Sequence, residues 1–119
     1  MPDNTPTLYG IPNCDTMKKT RKWLETNAVE YQFHDYKKMG IDEALAKRFI
    51  QAIPLDTLIN KRGTTWRKLS PSEQNSLDST SAVKIITENP SIVRRPLIEK
   101  DSQWLAGYDE TQLRSLLAP

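Results

Sequence analysis

The chain is short of the residues that build most cofactor and metal sites. It has one cysteine, one histidine and four glycines in 119 residues. A single cysteine excludes an intramolecular disulfide, so nothing argues for an oxidising compartment. The single histidine, His34, follows a β-like segment with no neighbouring ligand pattern, so no metal and no general-base role is expected of it. No apolar run approaches the roughly 20 residues needed to span a bilayer. Excess charge of one sign is missing too: 17 Lys and Arg stand against 15 Asp and Glu, a net charge of +2. That balance gives little basis for a direct nucleic-acid surface. The opening Met1-Pro2-Asp3-Asn4-Thr5-Pro6 is polar, unlike a signal peptide, and is expected to be a disordered lead. The expectation is a cytoplasmic protein without a membrane partner. Its 37% hydrophobic and 27% charged residues suit one monomeric domain, 1–119, large enough for a core without staples.

What is present centres on Tyr9-Gly10-Ile11-Pro12-Asn13-Cys14-Asp15-Thr16-Met17-Lys18-Lys19. Thr7 to Ile11 reads as a short strand, rich in β-branched and aromatic residues. Pro12-Asn13 breaks it. Asn13 is then expected to cap a helix from about Cys14 to Asn27, with Met17, Trp23 or Leu24, and Ala28 facing inward. A lone cysteine is ordinarily a small buried hydrophobe. This one falls on the first turn of a helix, where unpaired N–H groups and the positive end of the dipole favour a thiolate. The Asp15 charge opposes that effect unless it turns outward.

Val29 to Phe33 alternates apolar and polar residues and reads as a second strand, giving a right-handed parallel βαβ unit. Lys37 to Gly40 is a loop. Gly40 with Glu43 starts a helix carrying Ile41, Leu45, Phe49, Ile50 and Ile53 on one face, and Pro54 ends it. Leu55 to Ile59 is a further turn. Asn60 to Leu69 is a basic loop, in which Gly63 is expected to supply a positive φ. Ser70-Pro71-Ser72-Glu73 opens a short helix with a capping box and a proline in the first turn. Ser81 to about Glu88 is another helix, with Ala82, Val83 and Ile86 inward, and Asn89-Pro90 interrupts it. Leu97 to Glu99 and Gln103 to Tyr108 form a hairpin around Lys100-Asp101-Ser102. Asp109 with Gln112 caps a last helix whose inner face is Leu113, Leu116 and Leu117. The order β-α-β, several helices, β-β-α predicts an α/β thioredoxin-like fold with a four-stranded mixed sheet and a helical insertion at about 40–93.

Leu8-Tyr9 through Cys14, with Lys18-Lys19 and Trp23-Leu24, resembles the active-site segment of the glutaredoxin-linked arsenate reductase (ArsC) family, and within it the Spx and YffB-like group. The similarity continues in Arg62 to Leu69, in Pro90 to Ile98 and in Gly107-Tyr108-Asp109, so it spans Thr7 to Leu117. The resemblance implies the thioredoxin fold with a helical insert and a cis peptide between Arg95 and Pro96. Dithiol members of the Spx group carry a second cysteine where this chain has Met17. Cys14 therefore needs a resolving thiol from elsewhere, with glutathione or a glutaredoxin as the expected partner. Arsenate reductases of the family surround the cysteine with an arginine triad. Arg95 matches one member, and Arg62 lies near a second, displaced along the chain. The third falls around Ala106-Gly107-Tyr108, where there is no arginine, which disfavours arsenate reduction. The Spx resemblance also implies contact with the RNA polymerase α subunit.

The expected site is thus Cys14 as nucleophile, with Asn13, Lys18, Arg62, Arg95 and Pro96 binding substrate or glutathione. Two guanidiniums near the sulfur would favour its charged form and suit a carboxylate or oxyanion. Lys18 and Lys19 otherwise read as solvated helix charges, Asn13 as a cap, and Trp66 and Trp104 as packing residues.

Overall fold

The computed structural model describes residues 5–117. Two compact units share the chain. One is built from the segment up to Asp35 and the segment from Arg95 onward, the other from Tyr36–Arg94.

The first unit holds the sheet. Strands β1 (Thr7–Gly10), β2 (Gln32–Asp35), β3 (Leu97–Lys100) and β4 (Gln103–Ala106) lie in the order β2-β1-β3-β4. β1 runs parallel to β2 and antiparallel to β3, and β3 is antiparallel to β4. This is the expected mixed sheet with the first strand inside it. Helix α1 (Asp15–Thr26) joins β1 to β2, and the last helix, Glu110–Leu117, follows β4.

The two-residue period of the strands sorts the side chains. Leu8 aligns with Phe33 and Ile98, and Ile98 with Leu105. These residues pack with Met17, Trp23 and Leu24 of α1 and with Leu113 and Leu117 of the last helix to form the core. Leu116 and Cys14 are half-buried against it. Thr20, buried on the inner face of α1, is satisfied because its hydroxyl donates to the Thr16 carbonyl at 2.8 Å. Tyr9, of opposite parity to Leu8, stacks on Trp104 at 5.7 Å and lies 5.3 Å from His34, so Trp104 is a packing residue as expected.

Several boundaries differ from the sequence reading. β2 begins at Gln32, three residues beyond Val29. Ala28 has a φ of 55° and is exposed, so it ends the helix instead of joining its inner face. Val29 N–H then returns to the Leu24 carbonyl, and pairing starts where Gln32 N–H donates to the Pro6 carbonyl. Of the expected disordered lead, Met1 to Asn4 lie outside the described residues, whereas Pro6 is buried and paired. The β3–β4 hairpin turns through Asp101 and Ser102, both at positive φ (52° and 66°), as a two-residue primed turn requires. β4 stops at Ala106, two residues before Tyr108, and Gly107, at φ 88°, turns its N–H to the Pro96 carbonyl.

The second unit is helical: α2 (Tyr36–Met39), α3 (Glu43–Ala52), α4 (Leu55–Leu58), α5 (Thr64–Arg67), α6 (Pro71–Asn75), α7 (Ser79–Glu88) and a 3-10 turn at Pro90–Ile92. The last helix of the first unit is therefore α8. Leu45, Ala46 and Phe49 of α3 and Ala82, Ile85 and Ile86 of α7 are buried. Ile50 and Val83, expected inward, are only half-buried, and Ile85 takes the inner place. The cap of α3 is Asp42, whose carboxylate accepts from Leu45 N–H at 2.8 Å, not Gly40. Ser70 and Glu73 form the expected capping box, and Asp78 with Ser81 forms a second, starting α7 two residues early. α2 and α5 replace segments expected as loop; each is one turn, too short to show a helical period. Gly63 has φ −83°, not a positive value. A β-carbon there would lie 3.0 Å from the Asn60 side-chain nitrogen, a tight contact that the Asn60 side chain would have to relieve.

Candidate active site

The path from β1 to α1 sets the cysteine. Gly10 ends the strand, and the chain bends through Pro12-Asn13. The helix then begins one residue later than expected. Asp15 is its first residue and Cys14 its N-cap, with extended backbone (φ −140°, ψ 133°). Asn13 is exposed and is not the cap. The chain prefers this because the Cys14 carbonyl, not that of Asn13, accepts the first helical bond, from Lys18 N–H at 2.9 Å.

An N-cap side chain stands over the amides of the second and third helical residues. At Cys14 those amides belong to Thr16 and Met17. The thiol is half-buried and makes no full capping hydrogen bond. Burial alone would push it up. The Met17 and Thr16 amides face the sulfur, and the Arg95 guanidinium acts on it by charge and as a hydrogen-bond donor; together they hold the Cys14 thiol below its ordinary value. Asp15 is exposed on the first turn.

Arg95 reaches this place through the start of β3. The Arg95–Pro96 peptide is cis, as the resemblance implied, and Pro96 is buried. Lys18 is exposed on α1 and contributes its backbone N–H to Cys14, as given above. Arg62 belongs to the second unit, where it is exposed and its N–H donates to the Asn60 side-chain oxygen at 3.1 Å. The site described within the first unit therefore consists of Cys14, the N-terminus of α1, and Arg95 with Pro96. The sequence reading missed the Thr16 and Met17 amides as individual donors; their offset from an N-cap residue was the available signal.

The first unit is thus a mixed four-stranded sheet in thioredoxin-like topology, with a cysteine at the turn from its first strand into a helix. The ArsC family model matches residues 9–116, and the chain belongs to the ArsC family. An uncharacterised protein of Haemophilus influenzae is 41% identical over 94% of this chain and 98% of its own length. A solved YffB protein structure superposes with a TM-score of 0.91 at 39% identity, covering 96% of this chain and 100% of that one. The global transcriptional regulator Spx of Listeria innocua is 29% identical over 93% of this chain and 86% of its own. The chain thus lies in the part of the family that holds YffB-like and Spx proteins.

Proposed function

We propose that the protein is a glutathione-dependent monothiol oxidoreductase with Cys14 as its nucleophile. The observation that carries this reading is the convergence of the Met17 and Thr16 amides and the Arg95 guanidinium on one half-exposed sulfur. The thiolate is the attacking species, and groups that favour the anion raise its share at neutral pH.

In the proposed cycle the Cys14 thiolate attacks the glutathione sulfur of a mixed disulfide. A new S–S bond joins Cys14 to glutathione, and the substrate sulfur leaves as a thiolate. A glutathione thiolate then attacks the Cys14-bound glutathione sulfur. Oxidised glutathione leaves with the new disulfide, and Cys14 returns as thiolate. One incoming glutathione sulfur loses one electron and the substrate sulfur gains one, so each turn converts the mixed disulfide and one glutathione into the substrate thiol and oxidised glutathione. Met17 stands where a dithiol enzyme would have its resolving cysteine, so an external thiol completes the cycle. A glutaredoxin could replace glutathione in that step. Arg95 is the proposed partner of a glutathione carboxylate, with the exposed Asn13 and Lys18 as neighbouring surface and the buried Pro96 holding the backbone next to Arg95. Arg62 is proposed as a further anion-binding residue. A glutathione-supplied reducing compartment, the cytoplasm, suits this chemistry.

NMR titration with reduced and oxidised glutathione tests the reading. Shifts centred on Cys14 and lost in Arg95→Ala support it. An unperturbed spectrum, or thiol transfer that survives Cys14→Ser, overturns it.

The Spx relative favours a second reading, a transcriptional regulator that binds the RNA polymerase α subunit. Capture of that subunit by the protein, unaffected by Cys14→Ser, would favour it. Arsenate reduction is a weaker alternative, because Ala106, Gly107 and Tyr108 supply no third arginine.

A further inference from the structure

We propose that Gly10 and Met17 are a matched pair: the absent side chain at the end of β1 is the space that the Met17 thioether fills, and this fit sets where the Met17 amide and Arg95 stand beside Cys14. The inference rests on the reading of Cys14 as nucleophile and assigns the pair a positioning role in it.

Gly10 is buried and is outside the left-handed region. Backbone conformation therefore does not demand glycine there. Space does. A β-carbon at Gly10 would fall onto the Met17 Sδ, 2.7 Å from its Cε and 3.3 Å from the Arg95 Cβ. A flexible methionine on a surface would swing away. Met17 has no exposed surface and is enclosed in the core with Leu8, Trp23, Leu24 and Ile98. The Arg95 Cβ is equally constrained, being one bond from backbone that continues into Pro96 and β3. A methyl group at Gly10 therefore presses on the two residues that supply a backbone N–H and a guanidinium to the sulfur. Overpacked sites answer by shifting side chains and backbone.

The test is the pH dependence of iodoacetamide alkylation of Cys14, with thermal unfolding run in parallel, in the unaltered chain, Gly10→Ala, Met17→Ala and the double variant. Gly10→Ala should move the alkylation midpoint to higher pH. Adding Met17→Ala, which vacates the space, should return the midpoint toward that of the unaltered chain. A folded Gly10→Ala protein with an unchanged midpoint would overturn the pairing, as would a double variant that keeps the shifted one. If Gly10→Ala alone fails to fold, the double variant decides: folding with a restored midpoint supports the pairing, and failure to fold or a shifted midpoint overturns it. An ordinary thiol midpoint in the unaltered chain is a separate result, and it overturns the nucleophile reading itself.

Discussion

At the scale of the residue, the proposed chemistry rests on Cys14 and Arg95. Arg95→Ala removes a charge and a donor from the sulfur, so the alkylation rate at neutral pH should fall and its midpoint should rise. Arg95→Lys keeps a charge without the planar fork, and should lie between the two. The pH dependence of stability has a fixed sign. Unfolding returns Cys14 to its ordinary value, above the value it holds when folded. The folded state therefore gains stability above the unfolded value, and the gain is lost as pH falls through the folded one. Urea unfolding at several pH values should show the unaltered chain gaining on Cys14→Ser as pH rises toward the alkaline range. No such divergence would mean that the sulfur is not held as an anion.

How much of this was legible in the sequence differs from residue to residue. Cys14 was found because a strand, a turn and a helical pattern place it at a helix start. Asn13 was expected as cap on general preference, since asparagine caps far more helices than cysteine does. The residue that caps is decided by which carbonyl accepts the first helical bond, and local sequence does not show that. Arg95 entered through the family resemblance. Nothing local in Arg94-Arg95-Pro96 says which guanidinium meets the sulfur; in the structure Arg94 instead donates to the Thr57 carbonyl at 2.7 Å. Gly10 carried no signal at all, because the need for it lies in the depth of Met17.

At the scale of the element, starts and stops marked by short polar side chains were readable. Ser70 with Glu73, and Asp109 with Gln112, act as caps as expected, the latter through Gln112 N–H to the Asp109 carboxylate at 3.0 Å. Single turns such as α2 and α5 were not readable, because a period needs more than one repeat to appear. The cap at Asp42 can be checked directly: Asp42→Ala should cost about 1 kcal/mol in urea unfolding, with the alkylation midpoint unchanged. An unaltered stability would show that α3 does not depend on that hydrogen bond. The hairpin turn offers a change of opposite sign. Ser102 sits at φ 66°, a region costly for most L-residues but open to glycine. Ser102→Gly should stabilise the protein by roughly 0.5–1 kcal/mol, read as a rise in Tm; a fall would mean that the serine side chain makes a contact worth more than the backbone relief.

At the scale of the whole molecule, the strand and helix order predicted the sheet correctly. Parallel pairing of β1 with β2 follows from the helix between them, and antiparallel pairing of β3 with β4 from a turn too short for anything else. The core of the first unit was legible as alternation in strands and as the inner faces of α1 and α8. Strand limits were not, because β2 is positioned by the Pro6 carbonyl and by the left-handed Ala28, neither of which alternation reports. Leu8, with no exposed surface, lies in the central strand pair and touches that core. Leu8→Ala should destabilise the protein by about 2–5 kcal/mol, and a smaller loss would mean that the sheet and helices close over the gap.

The most direct measurement is the pH profile of Cys14 alkylation by iodoacetamide in the unaltered protein beside Arg95→Ala. A midpoint below that of an ordinary thiol, moving upward when the guanidinium is removed, is the predicted result. An ordinary midpoint shared by both proteins would contradict it, and would leave a thioredoxin-like fold around an inert sulfur.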